Sequence, residues 1–271
     1  MRLATWNVNS LKARLGRVEE WLEYAQPDVV CLQETKLADA AFPALGFQAL
    51  GYETAHHGDG RWNGVAILSR VGLENVTSGF GDDATVAGAT LADEVAAERR
   101  LLTATCGGVR ISSVYVPNGR SLDSEQFPAK LDWLARLRMF LSATSSPEER
   151  IAVCGDFNIA PDDRDVFDPV RFTGTTHTSD AERAELAALA EWGLVDAFRL
   201  LYDQDRLYTL WDYRAGDFHS HRGMRIDLVM VSAPVARAVR WAIVDRNARK
   251  GKLPSDHAPL IFDLDDAELT A

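Results

Sequence analysis

Short apolar runs that end on carboxylates and amides constrain this chain more than any other feature. LATW runs into Asn7 and Asn9, and VVCLQ into Glu34. ISSVY ends on Tyr115, with Asn118 just past a proline, and IAVCG leads to Asp156 and Asn158. Asp227 lies within MRIDLVMVS, and Asp256-His257 immediately precedes APLIFDL. Runs this short and this apolar read as strands buried in a sheet. If the last two run antiparallel to the others, every polar group named here meets at one edge, on rigid supports.

The segments between these runs supply the other layers. Leu11, Leu15, Val18, Leu22 and Ala25 recur at helical spacing after Ser10, a residue suited to an N-cap, and Pro27-Asp28 stops the helix. Residues 123–143 read as a helix despite Pro128, and Ser179 with Glu182 has capping-box spacing before a helix running to about Gly193. Gly107-Gly108 between RLLTATC and VRISSVYV is a hairpin signal. NGVAILS (63–69) and YTLWDYR (208–214) read as further strands. Helices interleaved with hairpins and single strands predict a mixed α/β sandwich, its sheets covered by helices. No linker-like stretch divides it, so residues 1–271 are expected to form one domain.

Composition excludes several classes. No apolar run reaches the roughly 18 residues of a membrane span, and MRLATWNVNS lacks the apolar core of a signal peptide, so a cytoplasmic protein with no membrane partner is expected. Cys31, Cys106 and Cys154 are odd in number, far apart and set in apolar runs, which points to buried thiols rather than disulfides or zinc. His219 and His221 lack further metal-ligand spacing. The net charge of −11 argues against coating nucleic acid by bulk attraction. It leaves room for local basic surface and for an acidic centre neutralised by cations.

Asp227 is the most telling single residue. A carboxylate flanked by Ile226 and Leu228-Val229-Met230 is expected to be partly buried and to need a partner. His257, at a strand start, is the natural one, and the carboxylate would fix its tautomer and raise its pKa. A lone strand-end Asp is ordinarily a turn former, and an Asp-His dipeptide ordinarily a loop. That reading explains the whole set poorly.

WNVNSLKAR, LQETK, SVYVPNG, GDFNIAP, RIDLVMVS and PSDHAP occur here in the order found in the exonuclease III family, over essentially the whole chain. The chain resembles that family, part of the endonuclease/exonuclease/phosphatase superfamily. The resemblance implies a four-layered α/β sandwich, with two mixed β-sheets packed together and flanked by helices. It implies that Glu34 is the principal metal ligand, with Asn7, Asn9 and Asp256 near the same cation. It implies that Asp156 activates the attacking water and Asn158 orients it. His257, paired with Asp227, would contact the scissile phosphate, as would Tyr115 and Asn118. The resemblance leaves both Asp156 and His257 as candidates for the base; because Asp227 should favour imidazolium, Asp156 is the preferred base and His257 the preferred phosphate-side donor.

A cation held by oxygen donors suits charge development on phosphate, so Mg²⁺ or Mn²⁺ is expected. The implied activity is hydrolysis of duplex DNA, 5′ to abasic sites and from 3′ ends, by a monomer. Two alternatives are a same-fold phosphatase or phosphodiesterase acting on RNA, inositol phosphate or lipid headgroups, and a non-catalytic DNA-binding relative. Expected DNA contacts are Arg61-Trp62, the HRGMR segment (221–225), and Arg246, Arg249, Lys250 and Lys252. An ordinary basic loop is an equally simple reading of Arg61. Leu210, Trp211, Met224 and Ile226 match positions lining a pocket for a base-free sugar; some relatives carry aromatics in place of Leu210 and Met224.

Overall fold

A computed structural model describes residues 1–81 and 89–270. In chain order the strands are β1 (Arg2–Asn7), β2 (Val29–Gln33), β3 (Glu53–His57), β4 (Val65–Ser69), β5 (Glu74–Ser78) and β6 (Leu101–Cys106). They continue as β7 (Val109–Tyr115), β8 (Ile151–Asp156), β9 (Leu194–Asp196), β10 (Asp227–Ser232), β11 (Val239–Val244) and β12 (Leu260–Leu264). They form two six-stranded sheets, ordered β11-β12-β1-β2-β4-β3 and β5-β6-β7-β8-β10-β9. Each sheet holds one parallel pair, β1–β2 or β7–β8, among antiparallel ones, so both are mixed.

Period-two alternation builds the layers. Val29 and Cys31 face the second sheet and meet Ala104, Ile111, Ala152, Cys154 and Val229. Val30 and Leu32 face the other way, onto Leu11, Val18, Trp21 and Leu22 of the helix Leu11–Ala25. The far face of the second sheet, through Val153, Leu228 and Met230, packs on Trp133 and Leu137 of the helix Gln126–Thr144 and Leu186 and Leu189 of the helix Asp180–Trp192. The result is the four-layered sandwich, helix–sheet–sheet–helix. All three cysteines are free and buried.

Local signals account for the element ends. Ser10 caps the first helix by accepting from Ala13 N. Ser179 and Glu182 form the expected capping box, and Gly193 closes that helix. Pro128 sits in the first turn of its helix, where no intrahelical donor is needed. Gly107 and Gly108, with φ of 55° and 78°, make the tight β6–β7 turn.

One expectation fails and one strand is shorter than expected. YTLWDYR is not a strand: Leu210 makes isolated pairings with both Met224 and His257, and a 3-10 turn follows at Arg214–Gly216. Its backbone donors alternate between partners, Leu210 N to Met224 O and Trp211 N to Asp256 O, so no continuous ladder forms. MRIDLVMVS pairs as a strand only from Asp227, because the residues before it bond elsewhere: Met224 N donates to Leu210 O and Arg225 N to Asp165 O.

Candidate active site

The antiparallel condition holds for both late strands. β10 runs against β8 with Asp227 opposite Asp156, and β12 runs against β1. The ends of β1, β2, β7 and β8 and the starts of β10 and β12 therefore share one edge of the packed sheets.

Asn7 is the hub. Its Nδ2 donates to Glu34 Oε1 at 2.8 Å and to Asp156 Oδ2 at 2.9 Å, tying the two sheets together. Asp156 is buried, and its Oδ1 accepts from Asn158 N at 2.9 Å. Burial raises the Asp156 carboxyl to about 7; His257 opposes this, while Asp227 and Glu34 add to it. Asn158, at φ 51°, is anchored by Nδ2 to Val116 O at 2.9 Å and accepts from Asn118 Nδ2 at 3.3 Å. The Tyr115 phenol is held protonated by burial and by the Glu34 carboxylate beside it.

His257 and Asp227 form the expected pair, Nδ1 to Oδ2, at 2.7 Å, with both residues buried. Burial alone would lower the imidazole pKa, but the Asp227 charge and hydrogen bond outweigh it and raise the ring to about 10. At neutral pH the ring is an imidazolium whose Nε2 lies 3.8 Å from Asp156 Oδ2. The other oxygen, Asp227 Oδ1, is buried without a hydrogen-bond partner. A proton acceptor and a cationic donor thus lie side by side at ion-pair distance, able to flank one reacting centre from two sides.

The oxygens near Glu34 fit a hard cation. Lys36 Nζ already sits among them, 2.9 Å from Glu34 Oε2 and 2.7 Å from Asn9 Oδ1. Asn9 Nδ2 donates in turn to Asp256 Oδ1 at 3.1 Å. Asn7 is used differently from the oxygen ligand expected: its nitrogen bridges two carboxylates and its oxygen accepts from Asn9 N. Asp156, Asp227 and His257 also offer ligand atoms within 4.8 Å of one another. Two of those three residues, Asp227 and His257, are already bonded to each other through Oδ2 and Nδ1, which makes that group the poorer cation site.

The outlying predictions divide. Leu210, Met224 and Ile226 share a small apolar cluster with Ala160, Val166 and Phe172. Trp211 does not join it. As Leu210's neighbour on an extended segment it points the other way, fully buried against Tyr208 and Ala258. Arg249 is not a free phosphate contact either. It is buried, donates to the Ser255 and Trp211 carbonyls, and lies over Phe218 at 4.9 Å. It shapes the loop that carries Asp256 and His257, while Lys252 and Lys250 stay exposed. In HRGMR, Arg225 is buried in ion pairs with Asp165 and Asp196. Arg61 and Trp62 are exposed, and the residues after them receive hydrogen bonds from Lys36 N and Thr35 N, beside Glu34.

Lys36, Ser255 and the buried Lys130–Glu182 ion pair also hold the site together. The Ser255 hydroxyl donates to Asn7 O and accepts from His257 N, clamping β1 to the histidine loop. Lys130 Nζ reaches Glu182 Oε1 at 2.5 Å and Asn158 O at 2.7 Å, steadying the turn after β8. The lysine of QETK and the serine of PSDH lie inside quoted motifs; Lys130 carries no signal short of the tertiary fold.

Comparison with known proteins agrees with this architecture. Residues 4–257 match the profile of the Endonuclease/Exonuclease/phosphatase family. The chain is 34% identical to exodeoxyribonuclease III of Haemophilus influenzae over 96% of this chain and 98% of that protein. Among solved structures it superimposes on an AP endonuclease from Archaeoglobus fulgidus with a TM-score of 0.90, at 33% identity, covering 98% of this chain and 99% of that one. It superimposes on the 3′-5′ exonuclease NExo of Neisseria meningitidis with a TM-score of 0.88, at 36% identity, covering 98% of this chain and 100% of that one. With its fold, its clustered strand-end residues and these relatives in agreement, the chain belongs to the endonuclease/exonuclease/phosphatase family, in its exonuclease III branch.

Proposed function

We propose that the protein is a metal-dependent DNA repair nuclease that hydrolyses phosphodiester bonds of duplex DNA, 5′ to abasic sites and at 3′ ends. The observation that carries this reading is the opposed pair at the sheet edge, the buried Asp156 carboxyl facing the His257 imidazolium at 3.8 Å. Phosphodiester hydrolysis needs a base for water and positive charge beside the phosphate oxygens, and these two groups supply them.

In this reading Asp156, held by Asn7 and Asn158 N, takes the proton of the attacking water at Oδ2. A carboxyl near 7 is matched to that task, being deprotonated in a useful fraction at neutral pH without losing basicity. His257 Nε2–H points toward the phosphate side, and Asp227 on Nδ1 keeps it charged. Asn118 is exposed and offers its amide from the adjacent turn. Glu34, with Asn9 and Asp256, would hold a hard divalent cation, for which we propose Mg²⁺ or Mn²⁺; when bound, it neutralises charge on the phosphate and leaving oxygen. Exposure supports assigning Arg61, Trp62 and Lys252 to the DNA backbone, and the half-buried Leu210 and Met224 to the base-free sugar, with the fully buried Ile226 only packing behind them.

The test is a duplex carrying one abasic site, incubated with purified protein and Mg²⁺ or with EDTA. Cleavage 5′ to the site with Mg²⁺ and none with EDTA is expected. Cleavage undiminished by EDTA overturns the metal requirement, and an intact duplex under both conditions overturns the substrate.

A further inference from the structure

His177 belongs to none of the motifs above, yet its ring reaches the active-site edge. It lies between the short helix Pro169–Phe172 and the helix Asp180–Trp192, at φ 78°, a conformation that a side chain other than Gly or Asn seldom adopts. The backbone there is pinned from both sides: Ala160 N donates to His177 O, and His177 N donates to Glu182 Oε1 at 2.9 Å. Its ring Nδ1 lies 2.6 Å from Asn158 O. A carbonyl only accepts, so Nδ1 must carry the proton. Burial and the nearby Lys130 cation hold the ring pKa down at about 4, against weaker raising effects from Asn158 O and Glu182; His257 lowers it further. A neutral ring protonated on Nδ1 has one free group, an acceptor at Nε2. That acceptor lies 3.4 Å from Asn118 Nδ2.

We infer that His177 is a positioning residue for Asn118: its neutral Nε2 and Asn158 Oδ1 together fix which way the Asn118 amide faces. Asn118 Oδ1 is engaged by Arg120 N at 3.1 Å, so three contacts define the plane of this amide. Its NH₂ end is turned toward the turn that holds Asp156. Both amide hydrogens are engaged in this way, so a phosphate oxygen reaching Asn118 takes over one of these two long bonds; an amide flipped the other way would present only its oxygen, and two acceptors repel. This inference rests on the nuclease reading for its kinetic consequence, but the ring tautomer does not.

Two variants separate the ring's two contacts. His177→Asn keeps a donor near Asn158 O and suits the positive φ, but cannot reach Asn118. His177→Gln places an oxygen where Nε2 was and keeps the acceptor. On abasic duplex with Mg²⁺, His177→Asn should lower kcat about three- to tenfold, the worth of one hydrogen bond, with Tm unchanged, and His177→Gln should recover most of that loss. In an Asn118→Ala background, His177→Asn should have no further effect. Equal losses in both backgrounds, or no loss from His177→Asn in the wild type, overturn the inference. Nitrogen-15 NMR of the imidazole should show the neutral Nδ1–H tautomer from pH 6 to 8; a charged ring or an Nε2–H tautomer overturns it regardless of activity. A wild type that cuts no DNA while showing that tautomer overturns the nuclease reading and leaves the His177–Asn118 contact standing.

Discussion

Asp156 and His257 are perturbed in the same direction for opposite reasons. Burial disfavours the Asp156 anion, whereas the Asp227 anion favours the His257 cation despite burial. With Asp156 as the proposed base and His257 as the proposed donor, turnover should need the first deprotonated and the second protonated. It should therefore rise with pH through about 7 and fall through about 10, and a cation bound beside Glu34 should draw the acid limb lower. Asp227→Asn removes the charge that raises both groups, so both limbs should move to lower pH, the alkaline one toward the ordinary histidine value of about 6.5. An NMR titration of the His257 ring in wild type and Asp227→Asn checks this; identical pKa values would mean that the pair does not interact. The sign for stability follows from the raised histidine. The pair's contribution is fully present below the unfolded value of about 6.5 and is lost as pH rises through about 10. Asp156→Asn should lower kcat at least about a thousandfold while DNA affinity stays within about twofold, because an amide accepts no proton. Gel-shift and single-turnover assays measure the two separately, and near-wild-type turnover would remove Asp156 from the base role.

At the scale of elements, the site depends on how tightly β7 and β8 approach. Gly155 immediately precedes Asp156, and a Cβ there would lie 1.9 Å from the Val114 carbonyl oxygen. That contact is with backbone in a paired strand, so no side chain can move aside. Gly155→Ala should cost about 2–4 kcal/mol of stability and displace Asp156. Urea unfolding measures the first effect, and loss of turnover beyond the unfolded fraction measures the second. The elements also show what can be read locally. All eight strands that the sequence reading places correctly are the inner strands of the two sheets. The remaining four, β3, β5, β9 and β11, are the four sheet edges. An inner strand is covered on both faces and reads as a continuous apolar run. An edge strand such as ENVTS in β5 is largely exposed and reads as a loop.

At the scale of the whole molecule, a net charge of −11 has to coexist with a polyanionic substrate. Among the described residues, five carboxylates, Asp156, Asp165, Glu182, Asp227 and Asp245, are buried, and Arg225 and Arg249 are withdrawn from the surface onto internal partners. Arg249 and Lys252 show the difference three residues apart. Lys252→Ala should leave Tm unchanged and reduce the slope of log affinity against log salt by about 0.9. Arg249→Ala should lower Tm and turnover together while leaving that slope nearly intact, because its charge is directed at the Ser255 and Trp211 carbonyls. DNA binding across a salt series, with thermal melts of both variants, distinguishes them. An equal change in slope for the two would place Arg249 at the DNA surface.

The sequence by itself determined the strand ends and hence the roster at the active edge. Apolar runs must be buried, and the polar residue that ends each run stays at the rim. It also determined the Asp227–His257 pair, since a carboxylate inside an apolar strand needs a partner. Only the tertiary structure decided which neighbours of that edge take part. Trp211 and Leu210 are adjacent in sequence but face opposite sides of an extended segment. Arg249 looks like Lys252 in a string of letters, yet stacks over an aromatic ring and leaves solvent. His177 reaches Asn118 across 59 residues of chain, through a loop held by the Lys130–Glu182 pair. Local periodicity reports whether a residue is inside or outside. Which distant atom it meets there depends on how the sheets pack and the loops fold back, and no short window of sequence contains that information.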